Sequence, residues 1–199
     1  YIMYGKLIVS SSPHISSPVK TKNIMLDVII ALIPSLIASI YFFGPRAAVI
    51  TIVSVATCVI AEYICRKVMK REQTIGDLSA VVTGILLAFN LPSSVPIYVP
   101  IIGGLVAIVM VKQMFGGLGQ NFVNPALLAR IILMNSFPVL MTTWYPAGSF
   151  GADTTATASP LANIAAGSVD ALPSYMDMFI GNIPGCLGET SALALLIGG

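Results

Sequence analysis

An all-α, polytopic membrane protein with short and broken transmembrane helices is the fold class this sequence predicts, and three observations predict it. Of the 199 residues, 56% are hydrophobic and only 9% carry a charge, whereas a soluble domain carries about 25%. Several apolar runs approach the roughly 20 residues that a bilayer core demands. The Lys and Arg residues gather between those runs rather than along them. The net charge of +2 says little about partners, because position matters more than sum in such a chain. Nothing in it suggests nucleic acid; the surrounding partner is membrane lipid.

The elements follow in order. Residues 1–23 are polar and Ser-rich, lack the basic-then-apolar order of a signal peptide, and form an N-terminal segment. A bundle of about five segments is expected over 24–141. Ile24 to Phe43 is the first span, with Pro34 as a tolerated kink, and "GPR" at Gly44 to Arg46 turns the chain. Ala47 to Cys65 is the second, with Glu62 expected near the interface, where it can snorkel. After the basic stretch "RKVMKREQT" come shorter runs, Leu78 to Leu91 and Ile97 to Val111, and a fifth from Pro125 to Leu140 that contains Arg130. Residues 142–186 are a long loop of small and polar residues. Residues 187–199 begin another apolar run, "TSALALLIGG", too short for a span, so the sequence reads as the front part of a longer protein.

Charge sets the expected orientation. With the N-terminus inside, Lys6, Lys20, Lys22, Arg66, Lys67, Lys70, Arg71 and Lys112 all fall on the cytoplasmic side. Only Arg46 falls outside and Arg130 within the membrane, as the positive-inside rule requires. The loop 142–186 then faces outward, and its charges, Asp153, Asp170 and Asp177, are acidic.

Candidate chemistry is sparse. Cys58, Cys65 and Cys186 lack C-x-x-C spacing, and His14 has no second ligand nearby, so no metal site is expected. "MFGGLGQNFVNPALLAR" is glycine-rich without the order of a Walker loop. Asn124 and Pro125 suit the cap and first turn of the following helix. A charge inside a membrane segment usually faces a partner or cavity, so Gly116, Gly117, Asn121, Asn124 and Arg130 are candidates for a ligand or subunit contact. "IGDLSAVVTG" (75–84) resembles "LGETSALALL" (187–196), one entering from each side by the topology above. Such an echo suggests inverted repeats around a midplane site; two ordinary helix starts would explain it equally well. "DTTATAS" (153–159) offers a row of hydroxyls behind one acid, and alone it reads as a turn.

Longer stretches carry a family resemblance. "NIMLDVIIALIPSLIASIYFFG", "IGDLSAVVTGILLAFNLP", "VKQMFGGLGQNFVNPALLARIILMNSFPVLMTTW" and "IPGCLGETSALALLIGG" resemble, in order and over essentially the whole chain, the family of D subunits of the Rnf electron-transport complex. That family is the counterpart of the B subunits of the sodium-pumping NADH:quinone oxidoreductase. The resemblance implies a multi-pass flavoprotein subunit of an ion-translocating ferredoxin:NAD⁺ oxidoreductase in a bacterial or archaeal cell (inner) membrane. It implies FMN joined as a phosphoester in the outward loop, with Asp153 as the motif acid, Ala158 as its alanine and Ser159 as the acceptor. Thr157 is the alternative acceptor, because Ala156 and Thr157 depart from the usual motif. A second, non-covalent flavin (riboflavin) within the bundle is also implied. Implied partners are a flavin transferase and the other Rnf subunits, one bearing FMN and others iron–sulfur clusters. The rivals from other classes are a secondary transporter, favoured by the broken helices and the echo, and a structural subunit without a redox cofactor.

Overall fold

The computed structural model describes residues 20–148, 156–167 and 172–199, and among them the regular elements are all helical. Helix α1 (Thr21–Phe43) contains Pro34, and α2 (Pro45–Val68) follows after Gly44 alone. Gly44 adopts φ +74, which glycine reaches without strain, and Pro45 occupies the first turn of α2, where no N–H is needed. At 24 residues α2 is about 36 Å long, enough to cross a bilayer.

Helix α1 is apolar on the wrong face for water. Its fully buried residues are Ser35, Ser39 and Phe43, while Ile24, Ile30, Ile33 and Ile37 lie exposed. Small residues inward and Ile outward is the pattern of a helix whose solvent is lipid, where close backbone approach drives packing. The α2–α3 contact shows the same logic. A β-carbon on Gly84 would lie 2.6 Å from Val55 Cα, and Ser54 Oγ donates to Gly84 O at 2.8 Å.

A 3₁₀ turn at Ile75–Asp77 leads into α3 (Ser79–Phe89). Helix α4 (Tyr98–Leu105) runs without a break into a π-helical stretch, Val106–Gln113. Asn124 caps α5 (Pro125–Ser136) by accepting from Ala126 N at 2.9 Å. The expected single run to Leu140 is divided: Pro138 lacks the N–H that would continue α5 and starts the short α6 (Pro138–Thr142). Within the long loop lie α7 (Pro160–Ala165) and α8 (Tyr175–Ile180), and α9 (Ala192–Gly198) follows.

The bundle has two distinct ends. At one, Arg46 Nη2 donates to the carbonyls of Ser94 and Val95, Ser94 Oγ to Thr143 O, and Gly148 N to Phe42 O. The start of the long loop therefore shares an end with Arg46. At the other end lie Glu62, Ser79 and Lys112, with the 3₁₀ turn packed on α1. Between the ends, the C-terminal end of α3 meets the start of the second echo segment: Leu187 N donates to Leu91 O and Gly188 N to Phe89 O, both at 3.0 Å. From Gly188, which accepts from Ser35 Oγ, the chain enters α9 and runs back to Gly198 beside Ala31. Helices α3 and α9 thus run in opposite directions.

Candidate functional site

Three polar regions stand out against the apolar bundle. The first centres on Glu62, which is fully buried rather than snorkelling. The reason is tertiary: Lys112, from the end of the π stretch and also buried, places Nζ 2.9 Å from Glu62 Oε2. Thr74 Oγ1 and Gln113 Nε2 each donate to Glu62 Oε1 at 3.0 Å. Lys112 also donates to Ser79 Oγ at 2.6 Å, and Ser79 Oγ to Asp77 Oδ1 at 2.5 Å. Arg66 lies 3.8 Å from Glu62 and donates to Glu72 O. In the sequence Lys112 counted only as a topological charge. The available signal was an acid and a base each within two turns of the same end of neighbouring apolar runs.

The second region lies where the end of α3 meets the second echo segment. Arg130 Nη1 donates to Asn90 Oδ1 at 2.7 Å and Glu189 Oε1 at 3.1 Å, and Nη2 meets Cys186 Sγ at 3.5 Å. Unlike the first cluster it is open, with the Arg130 and Glu189 side chains 26% and 57% exposed. A charge in a membrane segment has found partners, as physics requires, and it keeps an exposed face.

The structure divides the five residues singled out around the glycine-rich stretch. Gly116 and Gly117 close the π stretch, with Gly117 N bonded to Lys112 O at 2.9 Å. Gly117 has φ +109, and a β-carbon there would lie 2.7 Å from Arg66 Nη2. The Asn121 amide, oriented to satisfy its surroundings, donates to the carbonyls of Val111, Lys112 and Gly117. These three belong with the Glu62 cluster. Asn124 is used by the α5 cap, and Arg130 belongs to the second region.

The third region is the outer loop. Asp153 lies outside the described residues. Thr157 is exposed, and its N–H donates to Trp144 O at 2.9 Å, tying the segment back to the Arg46 end. Ser159 is half-buried, and its Oγ accepts from Ala162 N at 3.3 Å as the cap of α7. Residues 156–159 lie outside any helix, and Pro160 opens α7, because its fixed φ suits a first helical position. An open groove of about 540 Å³ runs beside Thr157, Ala158 and Pro160, with Pro146, Pro173 and Pro184 on its walls. That volume falls within the range of small-molecule sites, and the apolar walls suit a flat aromatic ligand. The residues present fit a flavin there.

An inside-out α1, close helix approaches at glycine, opposed short helices and ion pairs within the bundle define a polytopic helical membrane protein. Residues 8–199 match the NQR2, RnfD, RnfE family, and the chain belongs to it. It is 49% identical over 197 residues to the D subunit of the Na⁺-translocating ferredoxin:NAD⁺ oxidoreductase complex of Acetobacterium woodii, covering 97% of this chain and 61% of that protein. It is 38% identical over 199 residues to the D subunit of the proton-translocating counterpart of Clostridium ljungdahlii, covering 96% and 60%. The D subunit of the ion-translocating oxidoreductase complex of Shewanella amazonensis is 42% identical over 166 residues, covering 82% and 44%. The chain spans at most 61% of the length of these relatives.

Proposed function

We propose that the chain acts as a membrane flavoprotein subunit that relays electrons in a ferredoxin:NAD⁺ oxidoreductase complex coupled to Na⁺ or H⁺ translocation. Its relatives are named as D subunits of Na⁺- and proton-translocating ferredoxin:NAD⁺ oxidoreductase complexes, and the flavin is this reading's own addition. Its partners are the other subunits of an Rnf complex, including an FMN-bearing subunit and iron–sulfur subunits. It sits in the cell membrane with its N-terminus and Arg66–Thr74 cytoplasmic and 142–186 outside, supported by the basic residues gathered on one side.

The observation that carries the site is a flavin-sized groove at the Arg46 end lined by Thr157, Ala158 and Pro160, with Ser159 between the last two along the chain. Ser159 is the proposed FMN acceptor, with Thr157 the alternative and Asp153 needed for attachment by a flavin transferase. In the attachment the hydroxyl oxygen forms the bond to phosphorus and loses its proton, while the phosphoanhydride bond of a flavin dinucleotide donor breaks and its nucleoside monophosphate half leaves. Accepting a bond from Ala162 N uses only one lone pair of that oxygen and holds the side chain in place. Flavin, when bound, supplies the redox chemistry, and the chain's task is to seat it and tune its surroundings. For the non-covalent riboflavin, Arg130 is the favoured contact among the five residues, because its guanidinium keeps an exposed face while Gly117, Asn121 and Asn124 are engaged within the chain.

The test is ultraviolet fluorescence of the full-length protein on a denaturing gel, co-expressed with its transferase, with peptide mass mapping. Wild type is expected to fluoresce, and Ser159→Ala and Asp153→Ala to be dark while Thr157→Ala keeps its signal. Fluorescence surviving Ser159→Ala moves the acceptor. A dark wild type removes the flavoprotein reading and favours the secondary-transporter reading, which the opposed helices α3 and α9 support.

A further inference from the structure

Where α1, α8 and α9 meet, the surface carries a groove in two parts. The first part, about 410 Å³, lies between Pro34, Ile37 and Ala38 of α1 and Leu193, Ala194 and Ile197 of α9. Ala194 is buried and Ala38 half-buried, while Ile37, Leu193 and Ile197 stand exposed beside them. Ser191 also lines it, but its Oγ is engaged in accepting from Ala194 N. The second part, about 550 Å³, lies beside Gly148, Asp177 and Asn182 of the outer loop. It sits by the last turn of α1, where Gly148 N donates to Phe42 O. Tyr41, Phe42 and Ile180 line both parts, so an apolar trough leads into a polar end. From Pro34 to Tyr41 the trough follows about 10 Å of helix axis.

An apolar face on a membrane helix is satisfied by fluid lipid or by another helix, so the polar end is what distinguishes this groove. Asp177 is the sole charged residue among the described residues that line either part. The Ser174 hydroxyl and then the Asn182 amide hold its carboxyl below the usual carboxylate range, so it is an anion at neutral pH. Ser174 Oγ donates to Asp177 Oδ2 at 2.7 Å, and a carboxylate has about four acceptor positions, so some remain open. None of the ion pairs among the described residues uses it. Tyr41 and Asn182 bring an O–H and N–H groups to the same end. Tyr41 is 78% exposed and meets the Phe42 ring edge-on at 5.3 Å, and a Tyr at the end of a spanning helix marks headgroup depth. Along the groove the order is therefore hydrocarbon, neutral donors, then an anion. That is the order of an acyl chain, a phosphate and an ammonium. A packed helix would fill the trough and leave Asp177 without a counter-charge, and an acidic headgroup would be repelled by it.

We propose that this groove holds a phospholipid with a primary-amine headgroup, its acyl chain between α1 and α9 and its ammonium on Asp177. The phosphate lies beside Tyr41 and Asn182, which donate to it. A primary ammonium has three N–H donors for the open lone pairs of Asp177, whereas a trimethylammonium headgroup has none. The lipid joins α1 to the outer loop, because Gly148 and Asp177 both belong to 142–186. Seated there, it holds against the bundle the same loop that Thr157 ties to Trp144. The site is separate from the groove beside Thr157 and stands whether or not the loop carries flavin.

The test uses the full-length protein in its assembled complex, placed in nanodiscs of equal parts phosphatidylethanolamine, phosphatidylcholine and phosphatidylglycerol. Photo-reactive benzoylphenylalanine replaces Ile197, and mass mapping identifies what it captures on illumination. Expected is a phosphatidylethanolamine adduct favoured about tenfold over the other two lipids, the scale of one charge-assisted hydrogen bond at an exposed site. Asp177→Asn is expected to remove that preference while lipid is still captured. Ala38→Leu, which narrows the trough, is expected to lower capture of all three lipids together. Adducts that mirror the nanodisc composition would mean ordinary surrounding lipid and overturn the proposal. Capture of another subunit or another segment of this chain overturns it too. A preference that survives Asp177→Asn overturns the headgroup assignment, and this exposed change decides the matter even where Ala38→Leu does not assemble.

Discussion

The two acid–cation clusters are built on echoing sequences yet differ in exposure. After "IGDLSA", Asp77 grips Ser79 and connects through Lys112 to Glu62, with both members of that ion pair out of solvent. In "LGETSA", Glu189 meets Arg130 directly, and its side chain is 57% exposed. The cap moves as well: Asp77 accepts from Ser79 N, whereas Ser191 Oγ accepts from Ala194 N. With its cap supplied by Ser191, Glu189 is free to turn outward to Arg130. The same five or six residues thus make a closed cluster where helices converge around them and an open one where a junction leaves a face uncovered.

The comparison breaks most sharply at the closed cluster. Lys112→Met alone removes the nearer counter-charge of buried Glu62 and leaves it only Arg66, 3.8 Å away, with an expected cost of up to about 3–5 kcal/mol. The thermal midpoint of the purified complex should fall steeply, and pairing the change with Glu62→Gln should recover most of the loss. A single variant as stable as wild type would mean that Arg66 or water compensates Glu62 in full. The next effect belongs to the junction. A β-carbon on Gly188 would run into the Phe89 ring, so Gly188→Ala is expected to cost about 1–3 kcal/mol by overpacking. Limited proteolysis between α8 and α9 would report the loosening. The smallest stability effect belongs to the open cluster. Arg130→Leu removes a partly solvated pair worth under about 1 kcal/mol, so insertion and thermal midpoint should be nearly unchanged while flavin content or electron transfer falls. Full flavin and full turnover in that variant would leave Arg130 as a structural charge.

Much of the architecture is local chemistry and was legible. Pro45 and Pro125 at first helical positions, Gly44 at a turn and Asn124 as a cap follow from backbone rules that operate within a few residues. Pro138 obeys the same rules, but its apolar neighbours hid it within an apparent single run. Pro160 follows the same rules: a proline excludes helix only from the interior, and here it opens α7 with Ser159 as the cap. The glycine-rich stretch was divided for a different reason. Gly117 and Asn121 turn back onto the π stretch, while α5 carries Arg130 more than a turn away.

The sequence by itself determined the membrane class, the number and order of apolar segments and the gathering of basic residues, because these depend on length, composition and nearest neighbours. Only the tertiary structure decided which charges meet. Glu62 and Lys112 are fifty residues apart and Arg130 and Glu189 fifty-nine. Those pairings depend on how α2, α3 and α5 pack and on a π-helical winding that rotates Lys112 inward. In an apolar surrounding a charge must find its counter-charge wherever the fold brings one, and no spacing along the chain records where that is.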